Sequence, residues 1–330
     1  MRANGLVVAI DGPSGAGKST AGRALAVQLG YTYIDTGAMY RALALKASRS
    51  GVSLDAEEAL AALLRASSIA LAEGGRRVLL DTLDVTTEAR SRETSRASSL
   101  VSVHPGVRVE MVARQREMGK DGGVVLDGRD IGTAVFPDAE VKFFLDADPA
   151  VRAQRRLGEL RAAGTEVSFD AIEKEVRERD YTDTHRAESP LQRAWDAIAI
   201  DTTRLSHEEV VERMLAAVRA REGRPVDLGR LAESHRRSAR RYKELLRTGQ
   251  LSAGLYRLAR GEEDQQRPHH EEEVYLVMEG RGRFRIGDQD FPAEPGALLA
   301  VPARVEHSFH SITDDLLLLV FFAPAEGTAE

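Results

Sequence analysis

Leu6-Val7-Val8-Ala9-Ile10 runs directly into Asp11-Gly12-Pro13-Ser14-Gly15-Ala16-Gly17-Lys18-Ser19-Thr20 and on through a helical pattern to Leu29 and Gly30. Five consecutive apolar residues predict a strand buried on both faces, and Ser19–Leu29 predicts a helix closed by Gly30 in a left-handed cap. The intervening stretch fits G-x-x-x-x-G-K-[ST] from Gly12 to Ser19. In that strand-to-helix setting the glycines let backbone N–H groups converge on phosphates, and the helix N-terminus adds its dipole. Lys18 reaches the β/γ-phosphates, and Ser19 has the hydroxyl to ligate Mg²⁺. The motif therefore points to transfer or hydrolysis of a nucleotide phosphate. A GTP-binding switch would need an N-K-x-D guanine reader, and the chain's only asparagine is Asn4.

Working outward, Tyr33–Asp35, Val124–Asp127, Val141–Asp146 and Ala197–Asp201 read as further strands, with a helix over Pro149–Ala162. The alternation predicts an α/β fold with a parallel five-stranded sheet covered on both faces. Between Asp55 and Pro105 the alternation breaks; Arg76–Leu80 and Leu83–Thr86 look like short strands of an inserted subdomain. Asp35-Thr36-Gly37-Ala38-Met39-Tyr40-Arg41 and Asp127-Gly128-Arg129-Asp130-Ile131-Gly132-Thr133 each follow a parallel strand, on the edge where such sheets hold ligands. Arg41 and Arg129 are therefore placed to clamp a second anion opposite the loop.

The length of 330 residues favours two domains. The first is expected over residues 1–223, with its insert at about 55–105. A basic stretch, Arg230–Arg247, reads as a solvated helix in a linker over 224–250. From 251 to 330 short strands repeat, predicting an all-β barrel or sandwich. The net charge of −6, from 46 Lys+Arg and 52 Asp+Glu, argues against a nucleic-acid-binding surface. The longest apolar run, Leu316–Ala323, is far below the roughly 20 residues that span a bilayer. With no cysteine anywhere, the chain reads as a cytoplasmic protein that binds no membrane.

By Ile10–Lys18, Asp35–Arg41, Asp127–Thr133 with Phe136-Pro137-Asp138-Ala139, and Arg179-Asp180 with Arg186-Ala187, the first 223 residues resemble the bacterial cytidylate kinase family of nucleoside monophosphate kinases. The resemblance implies a P-loop kinase fold, expected monomeric, whose insert is the family's nucleotide-binding subdomain. Asp84-Val85-Thr86 and Arg90 fall where its motif runs. It implies Mg²⁺-dependent transfer from ATP to CMP or dCMP, without a protein nucleophile. Gly12, Pro13, Ser14, Gly15, Ala16, Gly17, Lys18, Ser19, Thr20 and Arg156 would bind ATP and Mg²⁺. Asp35, Thr36, Arg41, Ser99, Arg114, Arg129, Asp130, Arg179, Asp183 and Arg186 would bind the acceptor, with Asp130, Ser99 and Arg114 at the base-reading positions. Lys18, Arg129, Arg155 and Arg179 would stabilise the transferring group. Arg152, Arg155 and Arg156, on one face of the helix after Pro149, would form a mobile lid.

Pro268-His269-His270-Glu271-Glu272-Glu273-Val274-Tyr275 through Gly280, with Pro295-Gly296, Pro302 and His307, resembles the two motifs of the cupin family. That resemblance implies a small β-barrel and, by spacing, a metal held by His269, Glu273 and His307, with Zn²⁺, Mn²⁺ and Fe²⁺ all compatible. Arg267 stands where the first histidine of the usual pair belongs, and His310 should face outward. The alternatives are a barrel whose Arg267 favours an anionic ligand, or one that dimerises.

Overall fold

The computed structural model describes residues 2–162, 164, 166–223, 227–238, 240–247, 250–266 and 268–325. The chain forms two compact units, Met1–Leu215 and Ala216–Glu330. Strand β1 (Val7–Asp11), fully buried as its unbroken apolar run requires, leads through the glycine loop into α1 (Lys18–Leu29). Then follow β2 (Thr32–Asp35), α2 (Thr36–Arg49), α3 (Glu57–Arg65), β3 (Ile69–Ala72), β4 (Arg77–Leu80), β5 (Leu83–Asp84), α4 (Thr86–Ala89), α5 (Arg92–Val101) and α6 (Pro105–Gly119). The unit continues with β6 (Val124–Asp127), a π-helix at Ile131–Val135, β7 (Val141–Asp146), α7 (Pro149–Ala162), α8 (Phe169–His185), β8 (Ile198–Asp201) and α9 (His207–Arg221), within which the division between units falls.

The main sheet has the order β2-β6-β1-β7-β8 and every pairing is parallel. The five strands expected from the sequence are all present, and β1 is central. The carboxyl ends of β1, β2 and β6 therefore open side by side, bringing the residues after Asp11, Asp35 and Asp127 together. The insert holds the antiparallel sheet β3-β4-β5 but also helices that the broken pattern did not reveal. Helix α2 anchors it. Met39, Leu43 and Ala47 pack with Leu60, Leu64, Val101 and Met111, while Ala38 and Ala42 pack with Val78, Leu80 and Val85.

The second unit corrects the linker reading. Helix α10 stops at Arg236 (Leu228–Arg236), and Tyr242–Arg247 is not helical but a strand, β9. With β10 (Ser252–Leu258), β11 (Glu272–Ile286), β12 (Gln289–Ala293), β13 (Leu298–Val301) and β14 (His307–Ala323), it builds an antiparallel sheet ordered β12-β11-β14-β10-β9, with β13 on β11. The run Leu316–Phe322 is buried on both faces, which is why it lacks polar alternation. Leu316, Leu318, Val320 and Phe322 face the interior with Phe284 and Phe309, and Leu317 and Leu319 lie under Leu231 and Ala232 of α10. The charges of Arg230–Arg247 mask that apolar stripe, so α10 is a cover for the sheet. Each fully buried Leu or Phe contributes roughly 1.5–3 kcal/mol.

The two strands expected at Val274–Met278 and Arg283–Ile286 are one, kinked by register shifts around Gly280. Gly280 has φ 86°, and a Cβ there would lie 2.2 Å from the Asp315 carbonyl oxygen; Gly261, at φ 73°, has open space. Gly261→Ala should therefore cost only the left-handed strain, about 1–2 kcal/mol. Gly280→Ala adds a backbone clash and should cost clearly more, on the order of 3 kcal/mol. Urea unfolding followed by circular dichroism checks the order; equal midpoints would remove the clash argument.

Candidate active site

The loop after β1 lies hard against the end of β7: a Cβ on Gly12 would sit 1.9 Å from the Leu145 carbonyl oxygen. No side-chain cap hydrogen bond satisfies the first-turn N–H groups of α1, which follows the loop directly. Lys18 is buried, and its ammonium donates to the Pro13 carbonyl at 2.6 Å. Burial pulls the Lys18 pKa well below its usual value, Arg129 adds to this, and Asp127 and Asp183 pull back. Ser19 Oγ donates to Asp127 Oδ2 at 2.8 Å, and Tyr33 Oη donates to Asp127 Oδ1 at 2.6 Å. Burial first and Asp35 second raise the Asp127 pKa, while Lys18 opposes them. A hydroxyl and a buried carboxylate with a second carboxylate nearby make the oxygen set that Mg²⁺ takes together with phosphates. The sequence reading found Ser19 but passed over Asp127 and Tyr33; the signal available was an aspartate at the end of the strand beside the loop.

Across this edge lies a second pocket, lined by Ser98, Arg108, Asp130, Arg179, Asp183 and Arg186 with Thr36, Gly37 and Tyr40. Asp35 caps α2 by accepting from Ala38 N at 2.8 Å, and holds the Arg41 guanidinium at 3.1 Å. Thr36 Oγ1 donates to the Asp127 carbonyl at 2.6 Å, tying β2 to β6. Arg129 Nε donates to Asp183 Oδ2 at 2.7 Å. Burial works against the Asp183 charge, yet Arg129 and Arg179 hold its carboxyl below the usual range. Arg179 has its Nε buried without a partner among the described residues, and burial followed by Arg129 lowers its pKa to about 10. Two guanidiniums thus share one carboxylate, an arrangement with positive charge to spare for an anion.

Several residues expected together are separated. Asp130 is in the pocket, but its ion-pair partner is Arg108, with Arg186 Nη2 at 3.7 Å. Arg114 instead donates to the Leu64 and Ser67 carbonyls at 2.7 and 2.9 Å, closing the end of α3. The spacing along α6 explains this: six residues apart, Arg108 and Arg114 point to different sides of the helix. Ser98 lines the pocket, whereas Ser99 lines an adjoining cavity of about 340 Å³ with Ser14, Arg96, Arg156 and Arg179. The three arginines of α7 also diverge. Arg152 is buried, paired with Asp180 at 2.7 Å and donating to the Ser14 carbonyl, so it braces the loop. Arg155 donates to the Thr202 carbonyl at 2.7 Å, and Arg156 pairs with Glu159 at 2.9 Å. Thr20 is exposed on the first turn of α1.

At one end of the β unit, His269, Glu273 and His307 do come close: Glu273 lies 3.9 Å from His269 Nε2 and 3.5 Å from His307 Nε2. Tyr275 joins Glu273 and His307. Its hydroxyl bonds the Glu273 carboxylate and lies 3.4 Å from His307 Nε2 and 2.7 Å from the Gln266 side-chain amide. Among the described residues no group of three His, Asp or Glu is disposed to hold a metal. The three residues expected to hold Zn²⁺, Mn²⁺ or Fe²⁺ thus meet in a hydrogen-bonded cluster that includes Tyr275, which, two residues after Glu273, shares its strand face. Arg267 lies outside the described residues. His310 bonds Asp290 at 3.0 Å on the outer side.

Removal of Arg108 should leave the buried Asp130 with only the Arg186 guanidinium at 3.7 Å, so Arg108→Ala is expected to raise the acceptor KM about tenfold or more. Arg114→Ala should keep that KM within about twofold and lower the melting temperature instead. Steady-state kinetics with thermal melts separates the two; matched effects on KM would place the base reader elsewhere.

No helix among the described residues is long and apolar enough to cross a membrane. The cytidylate kinase family model matches residues 8–220, and the cupin domain model matches residues 254–322. A cytidylate kinase of Geobacillus sp. (strain WCH70) is 51% identical over 222 residues, 67% of this chain and 99% of its own. That of Bacillus pumilus (strain SAFR-032) is 51% identical over 214 residues, 64% of this chain and 95% of its own. An RmlC-like cupin structure from Shewanella frigidimarina aligns with a TM-score of 0.25 at 22% identity, over 26% of this chain and 77% of its own. A family match across most of the chain, on a parallel sheet that gathers a phosphate loop and a guanidinium-rich pocket on one edge, makes this chain a member of the cytidylate kinase family, a nucleoside monophosphate kinase that also carries a cupin domain.

Proposed function

We propose that residues 1–223 transfer the γ-phosphate of ATP to CMP or dCMP with Mg²⁺. The observation that carries the reading is the pairing of two sites on one sheet edge: an uncapped helix N-terminus after the glycine loop, and a pocket whose Asp130 carboxylate is held by Arg108. Backbone N–H groups from Gly12 to Gly17 take the donor phosphates, with Lys18 on the β/γ pair and Ser14 and Thr20 at the mouth. Ser19 and Asp127, with Asp35 nearby, would hold Mg²⁺, which supplies charge neutralisation to the phosphates when bound.

On the acceptor side Asp130 accepts from the cytosine amino group while Arg108 offers N–H to the ring acceptor. Uracil would set a carbonyl against the carboxylate, leaving buried acceptors unpaired, and is rejected on that ground. Arg41 and Arg129 hold the acceptor phosphate, and Asp183 with Arg186 holds the sugar. Arg179, with its spare positive charge, lies toward the transferring group, joined by Arg155 and Arg156 when the cleft closes. Positioning and charge stabilisation account for such a transfer, and exclusion of water protects ATP from hydrolysis.

A coupled assay for ADP release across CMP, dCMP, UMP, AMP and GMP tests the reading, run on the full chain and on residues 1–223. CMP and dCMP are expected to be preferred by both; a different preferred acceptor would overturn the base-reading assignment, and an inactive but folded short chain would overturn the division of labour. Lys18→Ala should lower kcat on the order of 10²-fold or more with the fold intact, because it withdraws charge stabilisation from the transition state. Full turnover in that variant would refute the role of the loop lysine.

A further inference from the structure

Asp11 is the last residue of β1, buried beside the phosphate loop, and has no part in the transfer described above. Its carboxylate is fully committed: Oδ1 accepts from Ile131 N at 2.8 Å and Oδ2 from Gly132 N at 2.7 Å. Those two N–H groups open the π-helix Ile131–Val135, whose wide turn is closed by Val135 N to the Asp130 carbonyl at 3.1 Å and Phe136 N to the Ile131 carbonyl at 2.7 Å. Asp130, at its N-terminal boundary, makes no side-chain cap bond there. Its carboxylate is turned instead to Arg108 in the pocket. A helix whose own N-cap side chain is used elsewhere still has orphan donors to satisfy, and here the acceptor comes from a different strand.

We propose that Asp11 is a positioning residue: by capping the π-helix from β1, it frees the Asp130 side chain to read the acceptor base and locks the Arg129–Asp130 segment to the phosphate loop. The covalent geometry makes this coupling direct. Asp11 is followed at once by Gly12, and the residues it holds follow at once on Arg129 and Asp130. The ladder bond from Gly128 N to the Ile10 carbonyl at 2.9 Å runs alongside. Donor cradle and acceptor reader are thus fixed to one carboxylate, and misplacements of even 1 Å in such a cleft are costly. The inference rests on the reading of Asp130 as the acceptor's base contact.

The carboxylate also titrates in a useful range. Burial raises its pKa to about 6 against the two backbone N–H bonds, with Asp130 raising it further and Lys18 lowering it. The charged groups around it are Lys18 from α1, Asp130 from the loop, and Lys142 from β7. The stem of Lys142 lies against Gly132, while its ammonium bonds the Pro137 carbonyl and Asp196. Below about pH 6 the protonated acid can accept less well from two donors, so the cap weakens as pH falls, and acceptor binding weakens with it.

The test is Asp11→Asn, which keeps one acceptor but sets an amide N–H₂ against a backbone N–H. With whichever monophosphate the wild type prefers, the acceptor KM should rise about tenfold or more, and the ATP KM should stay within about twofold. Discrimination between CMP and UMP should fall. A parallel rise in both KM values, or unchanged discrimination, overturns the proposal. If the variant does not fold, the wild type decides: the inhibition constant of cytidine, which lacks the acceptor's titrating phosphate, should weaken as pH is lowered through about 6. A flat profile between pH 5 and 8, in a series set to bracket that value, overturns it equally. A wrong acceptor identity shows already in the wild-type panel, whereas a wrong role for Asp11 shows only in these comparisons.

Discussion

Charge buried in one cleft is the constraint around which the first unit is arranged. Lys18, Arg108, Arg129 and Arg179 are all withdrawn from water to some degree, and an unpaired buried charge is costly. Three of them are held against a carboxylate or carbonyl: Lys18 on the Pro13 carbonyl, Arg108 on Asp130, Arg129 on Asp183. The pairing is incomplete by design of the chemistry. Arg179 shares Asp183 with Arg129, and burial lowers its pKa, so the cleft holds a surplus of positive charge that a phosphate would neutralise.

That arrangement depends on the parallel sheet. Because β1, β2 and β6 are neighbours in one direction, their carboxyl ends deliver Gly12, Thr36 and Gly128 to the same edge, and hydrogen bonds such as Thr36 to the Asp127 carbonyl tie the edge across strands. Helices α5 and α6 add Ser98 and Arg108, carried there by the packing of α2 against both helices and against the sheet β3-β4-β5. The cupin domain shows the same logic in a different setting. A buried glutamate and histidine need partners, and the hydroxyl of Tyr275 provides one, joining the two in a polar cluster.

The local signals in the sequence were strong wherever one strand or one loop carried them. An unbroken apolar run meant burial on both faces for Leu6–Ile10 and for Leu316–Phe322 alike, and glycine spacing before Lys18 and Ser19 identified the phosphate loop. The sequence by itself therefore determined the five parallel strands, the loop chemistry, the family of the first unit and the β character of the second. What it could not determine was which of several similar side chains points where. Ser98 or Ser99, Arg108 or Arg114, and the fates of Arg152, Arg155 and Arg156 depend on the rotation of helices against the sheet, which side chains far apart in sequence decide together. Nor could it show that α10 lies over the barrel or that Tyr275 joins Glu273 and His307, because both follow from pairing across strands. Tertiary structure chose among residues of equal chemical promise, since hydrogen-bond and ion-pair geometry is set by distance in space and not by separation along the chain.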